Sequence, residues 1–323
     1  MSVLGRTKRA GVIAGFAFAG YAAYARNATL RFENLDPHSD DAPGTFLNID
    51  GDLIHYVEAG RGLPVVLVHG WNGSTFSFRY VISELARQYR VIAIDLLGFG
   101  YSARPANGDY SLSAQAKLVS VVLDRLDVEH ATLLGHSMGG AVAMRVAVGN
   151  PDQVERLVLA DSVTVSQVRR AVRFSWLFRL LMPLAAPFTM HRERFRRRVF
   201  RSAVHDPAFL TPEMLAGHYR PLHMRGHLQS LAKQLIDRGR DDLWLPDRIG
   251  QPTLILWGEH DRWIPLAAGE AMAEQIPDAR LVVVPSAGHM PLEEQPEFCN
   301  RELLKFLPAV AEATAAEKSE TPA

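Results

Sequence analysis

A serine, an aspartate and a histidine in this chain have the types and surroundings to move an acyl group. Ser137 lies in Gly135-His136-Ser137-Met138-Gly139, a G-x-S-x-G pattern between a short apolar run (Ala131 to Leu134) and a helix-favouring one (Ala141 to Val148). At such a strand-to-helix turn the serine backbone is strained and side chains two positions either side would collide, which is why 135 and 139 must be glycine. The hydroxyl is raised at a helix N-terminus, where developing negative charge is favoured and the Met138 backbone N–H can point at an oxyanion. A serine alone is a weak nucleophile, so the pattern demands a base elsewhere.

Two later loops supply candidates. Gly258-Glu259-His260-Asp261-Arg262 follows the apolar run Thr253 to Trp257, and Ser286-Ala287-Gly288-His289-Met290 follows Leu281 to Val284. The chain order Ser, Asp, His is the one associated with a nucleophile elbow. His289 would take the serine proton and return it to the leaving group; Asp261 would hold the imidazole tautomer and stabilise the imidazolium. Asp161, ending the run Leu157 to Asp161, competes with Asp261 for that role, and Glu259 does so more weakly. His136 is expected to point away from the groove and be structural, and His69 to shape its own loop. The second oxyanion donor is expected from His69-Gly70-Trp71, so the backbone amides of Trp71 and Met138 form the expected pair. Trp71 either walls the acyl pocket or simply packs.

Bringing these groups together takes a sheet. Phe46 to Ile49 and Leu53 to Glu58 read as extended runs joined by Asp50-Gly51, a dipeptide that favours a tight hairpin turn. Val65 to Val68, Val91 to Asp95, the run at Ala131 and Leu157 to Asp161 read as strands, with helices predicted over about 78–88 and 113–126. Strands separated by helical segments imply right-handed crossovers and a mostly parallel sheet with helices on both faces. In such sheets ligands bind beyond the carboxyl ends of the strands, where all three candidate groups fall. The alternation stops at Ser162 and resumes near Pro252, with a mostly helical insertion between. The expected organisation is an N-terminal signal or anchor segment (1–33), a linker (34–45), a core in two parts (46–162 and 249–308) around a helical cap (163–248), and a disordered tail (309–323).

Composition narrows the classes. The 323 residues carry 35 Lys plus Arg against 35 Asp plus Glu, so there is no global basic field for nucleic acid. The single cysteine, Cys299, excludes an internal disulfide and a cysteine-based zinc site. No H-E-x-x-H or comparable spacing occurs, and the expected chemistry needs no metal or organic cofactor. At the N-terminus, Arg6, Lys8 and Arg9 precede an uncharged run from Ala10 to Ala25, which then meets Arg26. This reads as a signal anchor, or as a cleavable signal with Ala23-Tyr24-Ala25 as its site, and the plain alternative is a buried or frayed helix. The expected location is therefore membrane-associated, or exported if the segment is cleaved.

The chain resembles the α/β-hydrolase superfamily from about Phe46 to Leu307. The resemblance is carried by HGW at 69–71, DLLGFGYSARP at 95–105, GHSMGG at 135–140, GEHDRWIP at 258–265 and AGHMPLEEQP at 287–296. It implies an α/β fold with a core sheet of about eight strands, mostly parallel, and a helical cap inserted after the sixth. Families sharing this frame include carboxylesterases, lipases, carbon–carbon bond hydrolases, cofactor-free haloperoxidases, epoxide hydrolases and haloalkane dehalogenases. The last two use an aspartate nucleophile, so Ser137 argues against both.

The cap is where specificity should reside. Residues 163–248 hold sixteen Arg and Lys against seven Asp and Glu. Phe174, Trp176, Leu177, Phe178, Leu180, Leu181 and Met182 crowd beside Arg169, Arg170, Arg173 and Arg179. Such a face suits either an interfacial helix on anionic lipid or an apolar cover over the site with its arginines in water. The resulting expectation is a monomeric or weakly associated serine hydrolase of hydrophobic or lipid-like carboxylic esters. Its partners would be the small-molecule ester and a membrane met through the N-terminal segment and basic cap, with no nucleic acid; the Arg192 to Arg201 cluster also suits a partner surface. A carbon–carbon bond hydrolase using the same triad, with cap arginines holding a substrate carboxylate, is the enzymatic alternative. A hydrolase-like ligand-binding protein is the other.

Overall fold

The computed structural model of the chain describes residues 3–36, 42–163, 181–237 and 246–309. The aromatic and arginine-rich face of residues 169–180 and the tail beyond 309 lie outside the described residues.

The sheet is built from runs whose composition already fits burial on both faces. Strand β3 (Pro64–Val68) sends Val66 and Val68 into one core and Val65 and Leu67 into the other. Strand β7 (Thr253–Gly258) divides in the same way, with Ile255 and Trp257 on one side and Leu254 and Leu256 on the other. A half-buried strand would alternate apolar with polar; these cannot, because neither face meets water. Each fully buried Val or Leu contributes about 1.5–3 kcal/mol from leaving water.

Eight strands form one sheet in the order β1-β2-β4-β3-β5-β6-β7-β8. The remaining strands are β1 (Thr45–Ile49), β2 (Asp52–Ala59), β4 (Arg90–Ile94), β5 (Ala131–His136), β6 (Val154–Ala160) and β8 (Ala279–Val284). β2 runs antiparallel to β1 and to β4, and the pairings from β4 across to β8 are parallel. The β1–β2 turn places both Asp50 (φ 52°) and Gly51 (φ 95°) at positive φ, as a two-residue hairpin matching the strand twist requires.

Helices α2 (Arg79–Leu85), α3 (Leu112–Arg125) and α4 (Met138–Gly149) cross between the early strands. The first is shorter than the sequence suggests, because after Leu85 the chain turns through residues 86–88 into β4, with Gln88 and Tyr89 N–H both donating to the Leu85 carbonyl. After β6 come the insertion helices α5 (Glu193–Ala203), α6 (Pro212–Tyr219) and α7 (His227–Asp237). The core closes with α8 (Leu266–Gln275), α9 (Pro291–Glu294) and α10 (Pro296–Phe306).

The N-terminal segment is one helix, α1 (Val3–Phe32), extending well beyond the apolar run. No helix among the described residues is long and apolar enough to cross a membrane. Its C-terminal half is knit into the insertion. The Tyr21 hydroxyl donates to the Leu184 carbonyl, and the Phe32 ring lies 4.5 Å from His191 and 4.2 Å from His223. The Glu33 carboxylate accepts from the backbone N–H groups of Gly226 (2.9 Å) and Leu228 (2.7 Å) at the start of α7, where orphan helix donors need an acceptor.

Candidate active site

Ser137 sits between β5 and α4 with φ 52° and ψ −117°, a conformation that only a tightly enforced turn holds. Its N–H donates to the Ala160 carbonyl at the end of β6 (2.8 Å), and its own carbonyl accepts from Gly140 and Val163 N–H, both 3.1 Å. A Cβ on Gly135 would run into the backbone of Gly139, and one on Gly139 into the Val68 carbonyl. The third glycine, Gly140, is equally confined, since a Cβ there would collide with the Ser162 side chain.

His289, beyond the end of β8, brings Nε2 to 3.0 Å from Ser137 Oγ. Its Nδ1 meets Asp261 Oδ2 at 2.7 Å. The other Asp261 oxygen, Oδ1, accepts from the backbone N–H groups of Trp263 (2.7 Å) and Ile264 (3.0 Å). All three residues are buried. With the carboxylate on Nδ1–H, Nε2 presents its lone pair to the hydroxyl, the arrangement that lets an imidazole take a proton from an attacking serine. The weaker competitor Glu259 is half-exposed, pairs with His260 and takes the Ser286 N–H, away from the imidazole. Asp161 does not take Nδ1 either; its Oδ1 accepts from Gly258 N–H at 2.9 Å.

The loop that carries the base is anchored from two sides. One Glu294 oxygen accepts from Gly288 N–H (2.8 Å) and Met290 N–H (3.3 Å), and the other from His205 N–H in the insertion (2.6 Å). The His289 N–H itself donates to the Ala203 carbonyl at the end of α5.

His136 departs from the expectation. Rather than facing away, its side chain lines the cavity, and Nε2 bonds the His289 carbonyl at 2.7 Å with the two rings 5.1 Å apart. The crowded elbow leaves the ring nowhere else to go. Burial, with the nearby His289 second, lowers its pKa to about 4, so it is a neutral buttress. His69 is fully buried and shapes its loop, with Nδ1 on the Gly70 carbonyl (2.7 Å) and Nε2 accepting from Leu96 N–H (3.1 Å). At the start of the DLLGFGYSARP segment, Asp95 pairs with His55 (2.7 Å) and takes the N–H groups of Thr75 and Tyr101. Burial works against the Asp95 charge, but the His55 pair outweighs it and holds the carboxyl below its usual range.

Above Ser137 lies a cavity of about 390 Å³, within the usual range for small-molecule sites. Trp71 and Met138 line it beside Ser137, together with Leu112, Phe200, Ile264 and Met290. No lysine or arginine stands among its described lining residues. Of the described lining residues, Val199 (38% exposed) and Trp263 (44%) are the most exposed, so the cavity opens to solvent along the side between α5 and the loop after β7. There Trp263 Nε1–H donates to Ser202 Oγ on α5 at 3.1 Å.

Sequence reasoning missed one polar group. His218 on α6 lines the cavity, with Nε2 on Glu293 Oε2 at 3.0 Å, and Arg79 pairs with the same oxygen. Burial opposes the Glu293 charge, but His218 and Arg79 prevail and lower its pKa. Nothing local marks a lone histidine in the insertion as facing the site. Among the described residues, a close set of metal-type donors is Asp161, Asp261 and His289, and two of these are already paired to one another.

A family model described as alpha/beta hydrolase fold matches residues 64–296. The chain is 32% identical over 263 residues to 2-hydroxymuconate semialdehyde hydrolase of Pseudomonas putida, covering 77% of this chain and 89% of that one. Among solved structures, a meta-cleavage product hydrolase from Pseudomonas fluorescens superposes with a TM-score of 0.69 at 25% identity, covering 82% of this chain and 97% of the other. A membrane phospholipase A described as a bacterial virulence factor superposes with a TM-score of 0.69 at 26% identity, covering 96% and 99%.

Proposed function

The chain belongs to the alpha/beta hydrolase fold family, and from that premise we propose that it cleaves hydrophobic carboxylic esters, lipid esters among them, through an acyl-enzyme. Ser137 Oγ attacks the acyl carbon while His289 Nε2 takes its proton, and Asp261 Oδ2 stabilises the imidazolium. The backbone N–H groups of Trp71 and Met138 hold the oxyanion. The imidazolium then protonates the departing alkoxide, and water repeats the cycle on the acyl-enzyme. No metal or organic cofactor enters these steps.

The observation that carries the ester reading is the apolar wall above Ser137, to which Trp71, Leu112, Met138, Phe200, Ile264 and Met290 contribute. A neutral acyl chain gains from such a wall by leaving water. The likeness to the membrane phospholipase A supports a lipid ester, because 96% coverage of this chain cannot omit the 30-residue helix α1. On that helix Phe18, Tyr24 and Leu30 are exposed together with Arg26 and Arg31, so apolar and basic side chains both reach its surface. Membrane association through this N-terminal helix is part of the same proposal.

The relatives favour a second reading. The 32% identical Pseudomonas putida protein is named for hydrolysis of 2-hydroxymuconate semialdehyde, so carbon–carbon cleavage of a vinylogous keto acid with the same triad is the rival. One assay separates the two: steady-state turnover of p-nitrophenyl esters from acetate to palmitate beside a 2-hydroxy-6-oxo-dienoic acid, with full-length protein and a Ser137→Ala control. The ester reading expects turnover of medium or long esters that the control lacks. Fast cleavage of the dienoate with negligible ester turnover would replace it with the rival. Stoichiometric binding of both without turnover would leave a ligand-binding protein.

A further inference from the structure

Strand β6 leads into a carboxyl that the proposed mechanism leaves unused. Asp161 is completely buried (0% exposed) and sits at φ 41°, a strained value for a residue other than glycine. Its Oδ1 accepts one hydrogen bond, from Gly258 N–H, while its Oδ2 is buried and meets no donor. One of its oxygens lies within 4.8 Å of both an Asp261 oxygen and an imidazole nitrogen of His289. The Asp161 and Asp261 carboxyls thus lie side by side in the buried interior.

Two carboxylates this close, both out of water, cannot both stay ionised, and one proton must be held between them. The count of donors decides where it resides. Asp261 receives Trp263 N–H, Ile264 N–H and the imidazole, three donors that favour its anion. Asp161 receives one. Burial first, and then the Asp261 charge, push the Asp161 carboxyl well above its usual range. Glu294 on α9 pushes in the same direction. Among the described residues a further titratable neighbour is Cys299 on α10, a buried thiol whose own pKa is raised by burial and by Asp161, so it brings no positive charge.

We infer that Asp161 is a positioning residue of the triad, its carboxylic O–H donating to the Asp261 carboxylate and fixing the rotamer that holds His289. This rests on the serine-hydrolase reading. It also has a directional consequence, because a carboxylate that already accepts a neighbour's proton bonds an imidazolium less strongly. Taking that donor away should let the imidazole hold its proton to higher pH.

The test compares Asp161→Asn with Asp161→Ala in the full chain. Two rates are followed against pH: kcat/KM on p-nitrophenyl butyrate, and phosphonylation of Ser137 by an alkyl fluorophosphonate. Asparagine retains a donor toward Asp261 and an acceptor for Gly258 N–H, so its profile should superpose on the wild type, with rates within about threefold. Alanine removes the donor. Its kcat should fall about tenfold at unchanged KM, with the acid limb moved up by about half a pH unit. An acid limb that moves down in both variants would mean an ionised Asp161 and overturn the inference; an alanine profile with an unmoved limb would reduce Asp161 to packing and overturn it too. Asp161→Leu, which fills the space without a donor, serves if the alanine variant does not fold. Should the wild type hydrolyse no ester yet react with the fluorophosphonate, the ester reading fails while the Asp161 comparison remains readable from phosphonylation.

Discussion

The backbone N–H of His289 donates to the carbonyl of Ala203 at 2.6 Å, so the residue that would act as base is held by the last turn of an insertion helix. The fit is close: a Cβ on the neighbouring Gly288 would overlap the Ala203 carbonyl and lie 2.8 Å from His205 N. Gly288→Ala should therefore push α5 and the base loop apart. We expect a fold preserved by circular dichroism and kcat reduced about a hundredfold, the scale of an ångström-sized misplacement of a catalytic group. An unchanged kcat would show that the loop finds its position without α5.

The elbow holds the Ser137 backbone in strain at φ 52°, ψ −117°, a region open to glycine. Ser137→Gly and Ser137→Ala both remove the hydroxyl, but only glycine relieves the strain of about 1–3 kcal/mol. After the entropy that glycine loses on folding, Ser137→Gly should melt about 2 °C above Ser137→Ala by scanning calorimetry. The reverse order would mean that the turn is not strained.

Acid should destabilise the fold through its buried histidines. Burial lowers the pKa of His136 and His191 to about 4 and of His227 to about 3. A histidine depressed in the folded state gives stability that is present above its unfolded value near 6.5 and lost as pH falls toward the folded value. The raised carboxyls of Glu33 and Glu294 act in the opposite sense, being relieved by acid, so a difference measurement is needed. His227→Gln removes a loss on the order of 2–3 kcal/mol at pH 4.5. Relative to wild type, its Tm should improve by roughly 5 °C between pH 7.5 and pH 4.5.

Glu33 ties the segment after α1 to the insertion by accepting from both Gly226 and Leu228 N–H. Glu33→Ala leaves the buried Leu228 N–H and the half-buried Gly226 N–H unmet, a loss of about 1–3 kcal/mol. Limited proteolysis should then cut near residues 223–228 at concentrations that spare the wild type, with Glu33→Gln intermediate. If the three proteins resist alike, the N-terminal segment lies on the insertion without holding it.

The sheet was legible because its signals are local. Val65 to Val68 reads as doubly buried since each residue needs an apolar face, and Asp50-Gly51 reads as a hairpin because positive φ at two successive positions admits few residue pairs. The collision between Gly135 and Gly139 is likewise a property of five adjacent residues. Ser137, Asp261 and His289 meet in space because parallel strands deliver their carboxyl ends to one edge. What the sequence did not disclose depends on docking. His136 turns inward only because the elbow packs it against the base loop, and the roles of Ala203, Glu294 and His218 exist only once the insertion has settled on the core. The N-terminal segment was read from its hydropathy; its attachment to residues 184–228 comes from Tyr21, Phe32 and Glu33, whose hydrogen-bond partners there lie more than 160 positions away in the chain.

The position of the mouth carries a consequence for selectivity. Val199 belongs to the insertion and Trp263 to the core, so the aperture is a seam between two bodies rather than a hole in one, pinned by the bond from Trp263 Nε1 to Ser202 Oγ. A seam admits by breadth and is indifferent to length, since a slender chain can trail outside it while a branched one cannot pass. The α5 helix that forms one lip also grips the His289 backbone through Ala203. A guest too wide for the gap would therefore spoil the alignment of the base in the act of entering, and the filter and the catalyst would fail together.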